Sequence, residues 1–292
     1  MNKIILLGGT GFLGKALFPL LQKEGFKIIT MIHKNHSKLS SDIFLGDISN
    51  PEILDSQLED NDVIINLIGQ YDQNLSQFIQ KNILGAINIL NSAIKKKNIK
   101  IILISSISVY GENLDHPSKE SDELNPKTTY GFVKNITEQI YQNYFKLYNI
   151  DITVLRLSTL YGPFKKTGFI PNMINSINKN IEMIIYNNGN QIRDMLFVED
   201  AAKGIIQAIK NSQKGFSIFN ISSSKQYTIK EIIEMVEKIS QHKIPIKFSS
   251  EIPDEKILSA DNSIAQKVLQ FKPHMDIEEG LKITINDLLK NN

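Results

Sequence analysis

Tyr130 and Lys134 stand four residues apart, a spacing that puts a phenol and an ammonium on one face of a helix. A free phenol titrates near 10, so work as a base near neutrality requires roughly 4 kcal/mol of help to its anion. A lysine cation beside it is one source of that help, and a cationic cofactor ring is another. On its own the pair is commonplace on exposed helices and gains meaning only from its surroundings. A second group is the hydroxyl cluster Ser105-Ser106-Ile107-Ser108, followed by Val109-Tyr110-Gly111, at the end of the apolar run 99–104. Open α/β sheets bind their ligands beyond the carboxyl ends of strands, which directs such a hydroxyl toward a site.

The third group is Gly8-Gly9-Thr10-Gly11-Phe12-Leu13-Gly14, lying directly between an apolar run and a helical pattern. Gly8, Gly11 and Gly14 give a tight turn, close backbone approach and an unobstructed helix amino terminus, which are the requirements of a dinucleotide diphosphate. Glycine triplets alone are weak signals; the strand–turn–helix setting makes this one specific.

The elements that must carry these groups alternate. Residues 3–7, 27–32, 63–68, 99–104 and 152–157 are strand-like apolar runs, separated by helix-length segments such as 12–24, 76–97 and 129–147. This predicts an α/β fold, a Rossmann-type doubly wound parallel sheet. Pro19 falls inside the first helix and should kink it or lie where its lost hydrogen bond is tolerated. After Gly162-Pro163 the pattern loosens. Helices are expected at 169–180, 199–210, 228–239 and 263–290, the third capped by Thr228 with Glu231. Short strands surround an Asn188-Gly189 turn, and 243–261 reads as irregular. The expected division is a dinucleotide-binding domain over 1–162, with 192–221 returning to it, and a smaller carboxy-terminal substrate lobe from 163–191 and 222–292.

Composition sets the excluded classes. The 292 residues contain no Cys, which removes disulfides, thiolate metal sites and thiol catalysis. Lys+Arg 33 against Asp+Glu 31 leaves a net charge of +2, no basis for nucleic-acid or anionic-membrane binding. No stretch approaches the ~18 apolar residues of a membrane span, and the opening apolar run is too short for a secretion signal, so the cytoplasm is the expected compartment. The five His are scattered with no metal-ligand spacing beyond His33 and His36, so no metal is expected. Lys95-Lys96-Lys97 reads as the solvated end of a helix.

In this order along the chain, these segments resemble the extended short-chain dehydrogenase/reductase family, specifically its sugar-nucleotide epimerase/dehydratase branch. The resemblance runs nearly end to end. It implies that Gly8, Gly11, Phe12, Leu13 and Gly14 hold the dinucleotide, that Asp47 and Ile48 lie by the adenine, and that Leu67, Ile68 and Gly69 lie under the nicotinamide ribose. Asn82 matches an asparagine supporting the site. Ser106, Tyr130 and Lys134 match the catalytic residues: Tyr130 exchanges a proton with the sugar oxygen, Ser106 polarises that oxygen, and Lys134 holds the ribose. Arg156 with Tyr161-Gly162-Pro163, Arg193-Asp194 with Val198 and Asp200, and Leu269–Leu281 match further segments. Ser106, Ser108, Tyr130, Thr159 and Arg193 are the expected substrate contacts.

Departures from the family pattern narrow the chemistry. Water-eliminating and decarboxylating branches carry acids just after the catalytic hydroxyl, where this chain has Ile107 and Ser108. Branches that epimerise beside a keto group use a Cys. Hydride transfer at one carbon remains. At the end of the second strand, where a carboxylate would hold the adenine ribose, the chain has Ile32 and then His33 and Lys34, which suit a 2′-phosphate. NADP(H) is therefore the preferred cofactor, with NAD the other. The diphosphate-contacting Asn of the family is Thr159 here, and its second Arg is missing from 251–256, where Lys256 could shift into the role. The preferred activity is reduction of a keto-sugar nucleotide; the alternatives are a nucleoside-diphosphate-hexose 4-epimerase and a non-catalytic NADPH-binding protein. The resemblance also implies a homodimer formed through the helices at 76–94 and 129–147.

Overall fold

The computed structural model describes residues 3–32, 42–69, 75–111, 116–211, 213–251 and 257–290. Strands β1 (Lys3–Leu7), β2 (Lys27–Ile32), β3 (Asp42–Leu45), β4 (Val63–Asn66), β5 (Lys100–Ser106) and β6 (Asp151–Leu157) lead the chain. Then come β7 (Thr159–Tyr161), β8 (Met183–Ile185), β9 (Ile192–Phe197), β10 (Phe216–Ile221), β11 (Gln226–Thr228), β12 (Ile246–Phe248) and β13 (Ile257–Leu258). The helices are α1 (Phe12–Lys23), α2 (Leu75–Ile79), α3 (Gly85–Ala93), α4 (Thr129–Tyr148), α5 (Phe169–Lys179), α6 (Val198–Asn211), α7 (Ile229–Ser240) and α8 (Ile277–Lys290).

Seven strands form one parallel sheet in the order β10-β6-β5-β4-β1-β2-β3. Its central strands are covered on both faces, which is why β1 and β4 read as unbroken apolar runs with every residue buried. Leu17, Leu21, Ala201 and Ile205 of α1 and α6 cover one face; Ile89, Leu90 and Tyr141 of α3 and α4 cover the other. The order reverses between β1 and β4, and the crevice at their carboxyl ends is the ligand position of a doubly wound sheet. The loops after the two strands touch there: a Cβ on Gly8 would lie 3.3 Å from that of Leu67.

A second assembly rises beside the carboxyl ends. β9 is its spine, antiparallel to β11 and parallel to both β7 and β13, while β8 and β12 pair separately. Met173, Ile174, Ile232, Val236, Leu281 and Ile285 of α5, α7 and α8 close its core over Met195 and Phe197. β10, between β9 and β11 in the chain, returns to the large sheet.

Pro19 leaves α1 unbroken, on its exposed side where water can satisfy the freed carbonyl. Thr228 and Glu231 form the expected capping box on α7. Two expected helices are interrupted. The segment read as 76–97 contains a π turn at Gln80–Leu84 and ends at Ala93, with Lys95 just beyond it paired to Asp55 at 2.6 Å. The segment read as 263–290 stops in a π turn at Ala265–Leu269; Gln270 turns left-handed at φ 60°, and Pro273 forbids resumption until Ile277. Among the described residues no helix is long and apolar enough to cross a membrane.

Candidate active site

The glycine loop leaves β1 at Gly8, whose φ of +83° is left-handed, and closes with a Gly11 N–H to Gly8 carbonyl bond of 3.0 Å. A Cβ on Gly14 would stand 2.4 Å from the Gly9 carbonyl, so only glycine lets α1 seat this close to the turn. α1 begins with no side-chain cap at Gly11 and no acidic residue in its first turn. Its leading N–H groups and positive dipole end are thus free for an anion, with Phe12 and Leu13 as the first helical residues. This cradle fits a dinucleotide diphosphate. Lys165, which sequence reading did not single out, reaches it from the loop after Gly162: its Nζ lies 5.3 Å above the Phe12 ring and donates to the Leu160 carbonyl, and burial lowers its pKa to about 8.

The adenine-side residues have local duties. The Asp47 carboxylate accepts from the Ser49 N–H at 2.9 Å and its hydroxyl at 2.8 Å. Ile48 is buried, packs on Gly85, and accepts from the Asn88 amide at 2.9 Å. Ile32 ends β2 buried. His33, Lys34 and Lys256 lie outside the described residues.

Ser106 ends β5 and caps the short turn Ile107–Val109, accepting the Ser108 N–H at 3.2 Å. α4 docks against that turn through Gly131, where a Cβ would sit 2.4 Å from the Ser108 carbonyl. This contact sets the half-buried Tyr130 beside Ser106, close enough for the serine hydroxyl to favour the phenolate. Burial pushes the phenol up to about 12, and Ser106 draws it down. The Phe78 ring lies nearly parallel to that of Tyr130, with centroids 6.1 Å apart.

One turn along α4, Lys134 is 3% exposed and donates to the carbonyls of Ile104 at 3.0 Å and Ile68 at 3.3 Å. Burial lowers its pKa to about 8, and Glu138 opposes that shift. Gly69 gives the ammonium its room, because a Cβ there would lie 2.0 Å from Nζ. Asn66 fixes this loop by accepting the Ile68 N–H at 3.0 Å. Asn82 sits in the π turn and donates to the Phe78 carbonyl at 2.8 Å; its Oδ1 would be 2.9 Å from a Gly69 Cβ. The structure therefore gathers Ser106, Tyr130, Lys134, Gly69 and Asn82 into one cluster at the switch point. No acid follows the hydroxyl: the next two residues are Ile107 and Ser108, both buried.

Behind the cluster lies a buried polar array that sequence reading missed. The Arg156 guanidinium donates to both carboxylate oxygens of Glu138, at 2.7–3.2 Å, and to the Tyr110 hydroxyl at 2.8 Å. Ser105 donates to Glu138, and Tyr110 donates to Asn220 Oδ1 at 2.7 Å. A legible signal existed: an arginine inside the apolar strand Asp151–Leu157 must find a buried anion.

The substrate-side residues come from different strands. Thr159, half-buried, opens β7 two residues after Leu157, the register partner of Ser106. Arg193 lies in β9, two residues before Met195, the partner of Thr159; its guanidinium also donates to the Ile192 carbonyl at 2.8 Å. The acids matched beside it are turned to backbone. Asp194, fully buried, accepts from Ser223 and Ser224, and its burial raises its pKa to about 6. Asp200 accepts the N–H groups of His274 and Met275 at 2.9 and 2.8 Å.

The family model described as the NAD dependent epimerase/dehydratase family matches residues 4–222. The chain is 27% identical to a UDP-glucuronate 4-epimerase of Thermodesulfobacterium geofontis over 98% of this chain and 96% of that one. It is also 27% identical to UDP-glucuronic acid decarboxylase 6 of Arabidopsis thaliana, over 98% of this chain and 88% of that protein. Among solved structures it resembles the UDP-glucuronic acid 4-epimerase from Bacillus cereus in complex with UDP-glucuronic acid and NAD. The TM-score is 0.87 at 25% identity, covering 99% of this chain and 100% of that one.

Proposed function

We infer the reaction from a fixed premise: this chain belongs to the NAD dependent epimerase/dehydratase family, within the extended short-chain dehydrogenases/reductases. We propose that it moves hydride at one carbon of a nucleotide-linked hexose and runs the reaction reversibly, as a 4-epimerisation. The observation that carries this reading is the Ser106–Tyr130–Lys134 cluster beside buried Ile107 and Ser108, with no carboxylate for elimination or decarboxylation at those positions. The names of the similar 4-epimerases support it.

The dinucleotide would be held by the backbone of Gly8–Gly14, by Asp47 and Ile48 at its adenine end, and by Leu67–Gly69 with Tyr130 and Lys134 at its nicotinamide end. When bound, it supplies the hydride acceptor and donor. Tyr130 takes the proton from the sugar hydroxyl at Oη and returns it to the resulting carbonyl oxygen. Ser106 donates a hydrogen bond to that same oxygen as its charge develops. Lys134 stands by as the buried cation that favours the phenolate. Thr159, Arg193 and Ser108 hold the nucleotide-sugar from the lobe side while the hexose turns between its two faces.

A second reading, reduction of a keto-sugar nucleotide by NADPH, is favoured by one observation. Ile32 stands buried where a carboxylate would hold the ribose 2′-hydroxyl. Mass spectrometry of the nucleotide released from the purified protein separates the two. Tightly held NAD, with interconversion of UDP-glucose and UDP-galactose without added cofactor, supports epimerisation. An empty protein that consumes NADPH supports reduction. Unchanged cellular function of Tyr130→Phe, alongside loss on changing the glycine loop, would favour a non-catalytic binding role.

We further propose that two copies pair through α4 and the helix before it, whose Phe132, Leu147, Tyr148 and Leu84 are exposed apolar residues. Sedimentation equilibrium showing a monomer at micromolar concentration would exclude this.

A further inference from the structure

The acid–base cluster has a floor. One turn along α4 from Lys134, Glu138 is 4% exposed. Its carboxylate is fixed from two strands: Arg156 of β6 grips both oxygens, and Ser105 of β5 donates to one of them. Arg156 is itself oriented from the far side by Tyr110, which is anchored to Asn220 of β10. A buried ion pair of this kind adds little net stability, because desolvation offsets the attraction. Its position suggests a different use. Lys134 is walled by neutral groups on its other sides: the carbonyls of Ile68 and Ile104, the Asn82 amide and Gly69. The charged and titratable groups about it are Tyr130 and Glu138 on its own helix and, beyond Glu138, Arg156 from β6 with Tyr110 behind it.

We propose that Glu138 is a positioning residue that keeps the Lys134 ammonium charged, and that Arg156 and Ser105 hold its carboxylate where it can do so. Glu138 is the anion one helical turn from a buried cation on the same helix, and the guanidinium that compensates it reaches the carboxylate from β6. Burial alone drives an ammonium toward its neutral form, and a neutral Lys134 would no longer favour the Tyr130 phenolate. The inference deepens the proposed reaction, yet its first test needs no substrate.

The test is a pH titration of Lys134 by NMR in protein carrying 13Cε-lysine, with the resonance identified by its loss in Lys134→Met. The parent midpoint is expected near pH 8. In Glu138→Gln it should fall by about one pH unit. Glu138→Gln strands the buried Arg156 and could fail to fold, so the double variant Glu138→Gln/Arg156→Met carries the same test with both charges removed. Its midpoint should also lie below the parent's, because the anion one turn along the lysine's own helix is gone. A parent-like midpoint in the double variant, or in a folded Glu138→Gln, overturns the proposal. In the activity arm, kcat should decline from a lower pH in both variants while KM changes less than about threefold. A uniform loss at every pH would indicate a merely structural pair and overturn the proposal. Shifted midpoints in a protein that turns over no UDP-hexose would refute the proposed reaction and leave the role of Glu138 standing.

Discussion

The two walls of the cleft are built from different materials. On the proposed dinucleotide side the groups that would face the ligand are backbone: glycines of one short loop, an uncapped helix start, and the loop Leu67–Gly69 touching it. On the lobe side they would be side chains, Thr159 and Arg193, set on strands as short as three residues, with Asp194 next to Arg193 bound to Ser223 and Ser224. A backbone site tolerates few changes, because its shape is the main chain itself. A side-chain site can be retuned one residue at a time while β9 and its neighbours stay in place. The family can thus keep one cofactor cradle and vary the substrate opposite it.

This contrast can be tested at descending scale. Tyr130→Phe removes the proton-transferring hydroxyl and should have the largest effect, a loss in kcat of about 10²–10⁴ that far exceeds any loss of dinucleotide affinity by calorimetry. A loss of affinity as large as the loss in kcat would show that the phenol serves to hold the dinucleotide and not to move a proton. Gly14→Ala attacks the backbone wall and drives a methyl against the Gly9 carbonyl. It should cost about 1–3 kcal/mol in urea unfolding and weaken dinucleotide binding at least tenfold. Wild-type binding there would break the comparison. Arg193→Met attacks the side-chain wall and should raise KM for the nucleotide-sugar by roughly tenfold, with unfolding and dinucleotide affinity little changed. Thr228→Ala removes only the cap of α7 in the lobe and should cost about 1 kcal/mol of stability while kcat stays within twofold.

The difference between the walls also governed what could be read from sequence. Gly8–Gly14 and the alternating apolar runs are local patterns, and they were sufficient to anticipate the parallel sheet and the loop at its switch point. Tyr130 and Lys134 were visible as a pair, but the device that delivers them was not. Gly131 against the Ser108 carbonyl is a contact between segments, as is the Lys134 ammonium filling the space that Gly69 leaves. The π turn at Gln80–Leu84 follows from no apolar periodicity; it coincides with the Asn82 side chain bonding back to Phe78. On the lobe side, Asp194 and Asp200 were visible only as members of the segment matched with Arg193. Only the fold shows that their carboxylates are committed to main-chain N–H groups of distant segments. Arg156 was visible in sequence but Glu138 was not singled out; their partnership spans two elements and needed the coordinates.

β10 is an edge strand of the large sheet, yet the chain enters it from α6, after β9, and leaves it for β11. Its Asn220 is bonded to Tyr110 and also donates to the carbonyls of Ser118 and Asp261. The lobe is therefore sewn through the sheet instead of hung from its end. An engineer wishing to graft another relative's substrate specificity onto this chain will find no single seam at which to cut. Replacing the loops around β7 and β9 in place offers a route that a cassette exchange of the carboxy-terminal half does not.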